Sequence, residues 1–261
     1  MMRALWSSAS GMVAQQKNID VISNNISNVN TVGFKGSRAD FQDLIYQIIQ
    51  PAGTLNQERT IPTGIEIGHG TQLVATPTRF AQGDLKDTED TLDMAIQGDG
   101  FFRIQMPDGQ TTYTRAGSFT LDGTGNLVTA NGLPLDPSLQ VPPEAEDVLI
   151  AEDGTVSTRA AGDIDPTIVG NIQLALFPNP RGLQHAGRGL FKLTSAAGPE
   201  MLRTPGEQGA GIIRSGMLEM SNVKIVEEMV GMIVAQRSYE ANAKSIQTAD
   251  EMLGTANTLR R

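Results

Sequence analysis

The chain contains no cysteine, which removes disulfides, thiolate catalysis and cysteine-ligated metal from consideration. Its two histidines, His69 and His185, stand apart from one another and from other ligand types at metal spacing, so loop or solvated roles suit them. No apolar run is long enough to cross a bilayer. The N-terminal segment lacks the apolar core and small-residue cleavage site of a secretory signal, so on sequence physics alone a cytoplasmic location is the default expectation. Positive charge is also in deficit. A formal net charge of −9 argues against binding nucleic acid or an anionic membrane through bulk electrostatics.

The charge present is unevenly spread. Residues 1–35 carry a net +2 (Arg3, Lys17 and Lys35 against Asp20). Residues 221–261 balance five basic with five acidic side chains, which leaves −11 for the middle. Near-neutral ends around an acidic middle suit a molecule whose ends are shielded and whose centre meets water. With 261 residues, 39% of them hydrophobic, the chain can bury one substantial core or two modest ones.

Both ends carry a seven-residue apolar period. At the C-terminus Ile225, Met232, Tyr239, Ile246 and Leu253 recur every seven residues, and Ala235, Ala249 and Ala256 fall three after Met232, Ile246 and Leu253. This is the pattern of a helix packed along another helix. Extended over 221–261 it would reach roughly 60 Å, too long for one compact domain of this size to cover. Ser221 and Asn222 are suitable N-caps, and Gly231 inside the helix points to close helix–helix approach. At the N-terminus Leu5, Met12, Ile19 and Ile26 repeat with the same period, joined by Ile22 and Val29, and predict a helix from about Arg3 to Val29. Its remaining faces are rich in Ser, Asn and Gln and almost free of charge. Amides and hydroxyls without charge suit a face that meets other protein. Asn30-Thr31-Val32-Gly33 then stops the helix.

Between the helices the signals change. Phe34–Ile49 is apolar-periodic and fits either helix or extended arm, and Leu55–Gly70, with Pro62-Thr63-Gly64, reads as an extended hairpin or long loop. From Thr71 to about Gly216, short strand-like runs are separated by Asp-Gly turns: Phe101–Met106 and Thr111–Thr114, Phe119–Leu121 and Leu127–Thr129, Val148–Ile150 and Val156–Thr158. Asn171–Phe177 and Leu190–Leu193 are further strand candidates, and Thr194–Gly211 reads as an irregular return path. The fold class expected is α+β: a discontinuous coiled-coil pair of N- and C-terminal helices, an inserted mainly antiparallel β domain and an extended connecting arm. The boundaries expected are 1–33 and 221–261 for the helical domain, 34–70 for the arm and 71–220 for the β domain.

No constellation supports catalysis. Gly98-Asp99-Gly100 is too short for a dinucleotide fingerprint, and Asp122–Asn126 lacks the acidic spacing and distal Glu of a calcium loop. Ser118 is not in a nucleophile elbow. Asp84, Asp87, Glu89, Asp90 and Asp93 form an acidic cluster with no partner histidine nearby, and a solvated loop suits it better than acid–base work. No catalytic, cofactor-binding or metal-ligating residue is assigned, and no small-molecule substrate is expected.

The two ends carry longer motifs. Ser23-Asn24-Asn25-Ile26-Ser27-Asn28-Val29-Asn30-Thr31-Val32-Gly33-Phe34-Lys35 resembles the N-terminal signature of the bacterial flagellar rod and hook axial proteins. Glu219-Met220-Ser221-Asn222-Val223, with Glu228-Met229-Val230 and Gln236–Lys244, resembles their C-terminal signature. Gln97–Phe102 and Tyr113–Phe119 resemble motifs of the β domain shared across the family, so the likeness spans essentially the whole chain. The length and the Tyr46–Gly70 segment resemble the members that build the distal rod, with proximal rod members the nearest alternative.

The resemblance implies a structural subunit that assembles into a hollow helical shaft across the periplasm, exported by the flagellar type III apparatus without a cleaved signal. It implies as partners further copies of itself, proximal rod proteins, the hook protein and the L- and P-ring proteins. Subunit packing would fall to Leu5, Met12, Ile19, Ile22, Ile26, Val29, Ile225, Met232, Tyr239, Ile246 and Leu253. Asn24, Asn25 and Asn28 would fix register. The arm, marked by Tyr46, Pro51, Pro62 and Gly64, would stiffen the rod. Two other classes compete: a coiled-coil binding module, and a glycosidase using the acidic cluster.

Overall fold

The computed structural model describes residues 2–51, 55–56, 59–60, 63–160 and 166–258. Its ends are helices that pack together, and the region between them is mainly short antiparallel strand, so the class is α+β as expected. Helix α1 covers Met2–Ser27 and α2 covers Ile225–Thr258. α1 closes before Val29, where Thr31 N donates to Asn28 O at 3.2 Å and Gly33 turns the chain at φ +68°. α2 opens later than Ser221 or Asn222 would place it. The Ser221 hydroxyl accepts from Val223 N at 3.2 Å and Asn222 is engaged elsewhere. The first turn instead carries Glu227 and Glu228, whose negative charge suits a helix N-terminus.

The chain divides into two compact units. The first gathers Met1–Ser27, Ser37–Pro77 and Lys224–Arg261. In it the apolar run after Phe34 is extended rather than helical. Asp40–Asp43 pairs antiparallel with Thr71–Ala75, and Tyr46–Gln50 with Ile65–Gly68, from Tyr46↔Gly68 to Gln50↔Ile65 across a bulge. Leu44 N donating to Gly70 O at 2.9 Å carries the ladder between them, and Leu55–Asn56 faces Arg59–Thr60 further out. Β-branched and aromatic residues favour this extended state. An isolated two-stranded ribbon is marginal in water, and this one is fastened at its base. Thr71 N donates to Ser10 Oγ on α1 at 3.3 Å, and Ser10 Oγ donates to Ser7 O at 2.8 Å.

The second unit is Asn28–Gly36 with Thr78–Val223. A four-stranded sheet runs in the order Gln184–Gly187, Leu190–Lys192, Thr111–Thr114, Phe102–Gln105. Met94–Gln97 pairs with Ile212–Ser215, Leu85–Asp87 with Met217–Glu219, and Ala145–Ile150, Thr155–Ala160 and Thr167–Asn171 form a three-stranded sheet. The stretch read as an irregular return contains one strand, Met201–Arg203, on Leu174–Leu176. Alternation along strands sorts the interior. Phe102 and Ile104 enter a core with Met94, Ile96, Phe119 and Ile213, while Phe101 turns to a second cluster with Tyr113, Phe177 and Phe191. Each such side chain contributes about 1.5–3 kcal/mol on burial.

The Asp-Gly turns are five-residue loops rather than two-residue ones. In Asp122–Asn126 the left-handed position falls on Gly125, φ +82°, and Asp122 Oδ1 accepts from Thr124 N and Asn126 N, both at 2.8 Å. These donors, led by the Thr124 hydroxyl, hold the Asp122 carboxyl down at about 2.

Candidate assembly surfaces and the buried junction of the terminal motifs

Within the first unit the helix pair has a narrow seam. Asn25 meets Glu228, Ile22 lies against Gly231, and Gly11 against Asn242. Contacts that descend α1 as they ascend α2 fix an antiparallel register. The residues buried most deeply are small or polar: Ala14, Asn25, Ala235 and Ala249, with Ile22 the one large apolar residue among them. Of the large residues of the seven-residue stripe, Leu5, Met12, Ile19, Ile26, Met232, Ile246 and Leu253 are half-buried, while Ile225 and Tyr239 are exposed. Val29 is half-buried but lies beyond the end of α1.

Asn25 is the polar member of that seam. Its Nδ2 donates to Ser37 O at 2.7 Å and to Glu228 Oε1 at 3.2 Å, and its Oδ1 accepts from Ser37 N at 3.0 Å. One side chain thereby joins α1, the strand-bearing segment and α2. Asn24 is exposed, and Asn28 accepts from the Thr31 hydroxyl at 3.2 Å. The close approach anticipated at Gly231 is real but not tight, since a Cβ there would sit 3.5 Å from Ile22 Cδ1. The tight position is Gly11, where a Cβ would lie 2.8 Å from Asn242 Nδ2.

The other side of α2 carries a surface that the heptad reading passed over. Val226, Met229, Val230, Ile233 and Val234 follow the i, i+3, i+4, i+7, i+8 pattern of an apolar face, and each is more than half exposed, Val226 the most at 74%. Together with the half-buried stripe, they make the first turns of α2 apolar almost all round. A helix of that kind is normally buried. The spacing was present in the sequence; the longer seven-residue period in the same segment masked it.

The ribbon shows the same excess. Ile45, Tyr46, Ile48, Ile49 and Ile65 are exposed, Ile45 at 84%. The Asp43 carboxylate, hydrogen-bonded to the Tyr46 hydroxyl, raises the pKa of that phenol. Pro51 is exposed and Gly64 half-buried, whereas Pro62 lies outside the described residues.

Within the second unit the terminal motifs meet. Lys35 and Glu219 are wholly buried and Arg115 is 3% exposed. Lys35 Nζ lies 2.5 Å from Glu219 Oε1 and donates to Ala81 O at 2.9 Å, and Arg115 Nε lies 3.5 Å from Glu219 Oε2. Gly83 N donates to the same carboxylate at 3.0 Å. Burial pushes the Lys35 ammonium down from its ordinary value, and Glu219 opposes that shift.

Around the ion triad, Gly33 N donates to Glu219 O at 2.7 Å and Gly36 N to Asn222 Oδ1 at 2.9 Å. Asn222 Nδ2 donates to Arg79 O and Ala81 O. A Cβ on Gly33 would fall 2.4 Å from Ala116 N, so glycine is required there by both backbone angle and space. The segment following α1, the segment preceding α2 and Tyr113–Phe119 are thus locked by one buried carboxylate. No spacing in the sequence relates the three charges; only their presence in three separate motifs could have pointed to them.

Asp84, Asp87, Glu89 and Asp90 are exposed, and Asp90 Oδ1 accepts from Leu92 N in a local turn. Among the described residues no three His, Asp or Glu side chains are placed to hold a metal ion, and no helix is long and apolar enough to cross a membrane.

A helix pair at the chain ends with its apolar surplus turned outward, an inserted β region and a buried tie between the terminal motifs together define a structural subunit of the axial type. Three family models agree: "Flagella basal body rod protein" matches residues 5–35, "Flagellar hook protein FlgE/F/G D1 domain" 95–158, and "Flagellar basal body rod FlgEFG protein C-terminal" 214–259. The chain is 51% identical to the flagellar basal-body rod protein FlgG of Borreliella burgdorferi over the full length of both. It is 45% identical to that of Buchnera aphidicola subsp. Acyrthosiphon pisum, covering 97% of this chain and 98% of the relative. Against the Bacillus subtilis protein it is 40% identical over the full length of both. The chain belongs to the flagellar basal-body rod protein family, is most like its distal rod members, and is a structural subunit of the basal-body rod.

Proposed function

We propose that the chain polymerises into a hollow helical shaft that transmits torque from motor to hook and serves as an export conduit, with no catalytic role. The observation that carries this reading is the first third of α2, apolar almost all round yet exposed from Val226 to Val234. In a lone subunit that surface forfeits about 25 cal/mol for every square ångström left in water. The two-helix seam, lined by small residues, recovers little of the conformational entropy its ordering costs. The terminal helices are therefore weakly ordered in the free subunit and complete their packing against neighbouring copies. In the polymer the heptad residues, with Asn24, Asn25 and Asn28, set register in an inner wall, the β domain forms the outer wall, and the ribbon around Tyr46, Pro51, Pro62 and Gly64 braces adjacent subunits.

On this reading the subunit is exported by the flagellar type III apparatus without a cleaved signal and joins a rod spanning the periplasm. Its neighbours there are proximal rod proteins, the hook protein and the L- and P-ring proteins. The family membership supports the setting, and the exposed faces support the mode of assembly. Deleting Ile246–Arg261 tests the mechanism. The truncated chain should keep a folded β unit yet fail to enter sedimentable polymer, and the intact monomer should show less helix by circular dichroism than the polymer. A truncated chain that still assembles would defeat the reading.

A further inference from the structure

A groove of about 370 Å³ runs along α1, flanking the seam at Ala14. Trp6, Val13 and Lys17 of α1 line it, with Leu44 and Leu73 of the ribbon opposite. Trp6 is 67% and Val13 59% exposed. We propose that this groove receives the Val226–Val234 face of α2 from a second copy of the chain. The proposal rests on the polymer reading above and specifies which two surfaces meet.

Three observations carry it. First, at roughly 100° per residue the stripe Val226, Val230 and Ile233 lies on the far side of α2 from Ala235 and Gly231, which face α1. The stripe therefore cannot turn into the groove of its own subunit. Secondly, the two surfaces match in extent. The stripe runs about 12 Å along α2, and Trp6 to Lys17 spans about 17 Å of α1.

Thirdly, their charges complement one another. Lys17 lines one end of the groove, and Glu227 flanks the N-terminal end of the stripe. Each pairs with an exposed neighbour, Lys17 with Asp20 at 3.9 Å and Glu227 with Lys224 at 3.1 Å. Pairs of that kind contribute little and exchange freely. Bringing Glu227 to Lys17 lays α2 antiparallel to the α1 it enters. The contact joins two different patches, so each subunit keeps one free groove and one free stripe. Repetition then gives an open chain of subunits rather than a closed dimer.

Because the chain has no cysteine, engineered thiols report this contact without background. Val13→Cys and Val230→Cys, both at exposed positions, would be co-expressed, and isolated rods treated with a short bis-maleimide. The expected result is cross-linked dimer from the mixture, a ladder from the double variant, and none from Val230→Cys alone. Intact rods with no V13C–V230C product would overturn the proposal while leaving the polymer reading in place. So would self-linking of V230C, or linking of V230C to a foreign protein. Failure of the unmodified chain to enter rods would defeat both. A charge-reversal series provides a second readout. Lys17→Glu or Glu227→Lys alone should lower incorporation by about threefold to fivefold, and the double reversal should restore it. Equal loss in all three would count against the proposal.

Discussion

Replacing Glu219 with Gln is the sharpest perturbation of the junction. Glutamine keeps the shape and leaves an oxygen for Gly83 N, but it removes the single anion between two buried cations. Lys35, fully buried, and Arg115, 3% exposed, then have no counterion within the triad. Breaking a buried pair by removing one partner costs about 3–5 kcal/mol, against a total stability of about 5–15 kcal/mol for an ordinary domain. Lys35→Met combined with Glu219→Gln should cost less than the sum of the two single changes, because the orphaned ammonium is gone.

The pH dependence of Glu219→Gln has a defined sign. Glu219 raises the Lys35 pKa against burial, so its loss moves that value further below the ordinary 10.5. From the variant's folded value up to the higher wild-type one, only the wild-type fold still holds the Lys35 proton, so the defect relative to wild type should shrink as pH rises through that window. Below the variant's folded value it should be present in full. The chain's single tryptophan, Trp6, lies on α1 and would report the wrong unit. Amide exchange of Met94–Gln97 and Phe102–Gln105 in graded urea reports the right one. A loss under about 1 kcal/mol, or full additivity with Lys35→Met, would refute the reasoning.

Two further outcomes follow from local geometry. Gly231→Ala places its Cβ at an ordinary contact distance from Ile22 and gains up to about 1 kcal/mol of helix propensity, whereas Gly11→Ala must displace the Asn242 side chain. Heat dissociation of assembled rods, followed by sedimentation, should therefore rank Gly231→Ala above Gly11→Ala, and the reverse order would contradict the seam register. Asp122 should titrate at about 2 by carboxyl NMR. Its stabilising effect is complete above the unfolded value of 3.8 and is lost as pH falls through about 2. A midpoint at 3.8 or higher would show that the Thr124 and Asn126 hydrogen bonds do not persist in solution.

The parts of this fold that depend on short-range periodicity were legible. The seven-residue stripe located both helices, and the Asp-Gly runs located three hairpins, because turn chemistry and strand alternation are local. The ribbon at Tyr46–Gly68 was ambiguous for the opposite reason: its pairing partner, not its own pattern, makes Tyr46–Gln50 a strand. Two apolar periods coexist in α2, and the longer hid the Val226–Val234 face. The Lys35–Glu219–Arg115 triad joins residues far apart in the chain, and no spacing rule brings them together. Gly11 and Gly231 are alike as letters; only packing distinguishes the crowded one.

Hydrogen exchange of α1 and α2, compared between free subunit and assembled rod, tests most directly whether the ends finish folding on their neighbours. Amides of Met2–Ser27 and Ile225–Thr258 should exchange within seconds to minutes in the monomer and become as protected in the rod as those of Phe102–Gln105. Protection of both helices in the monomer equal to that of the β core would contradict assembly-coupled ordering.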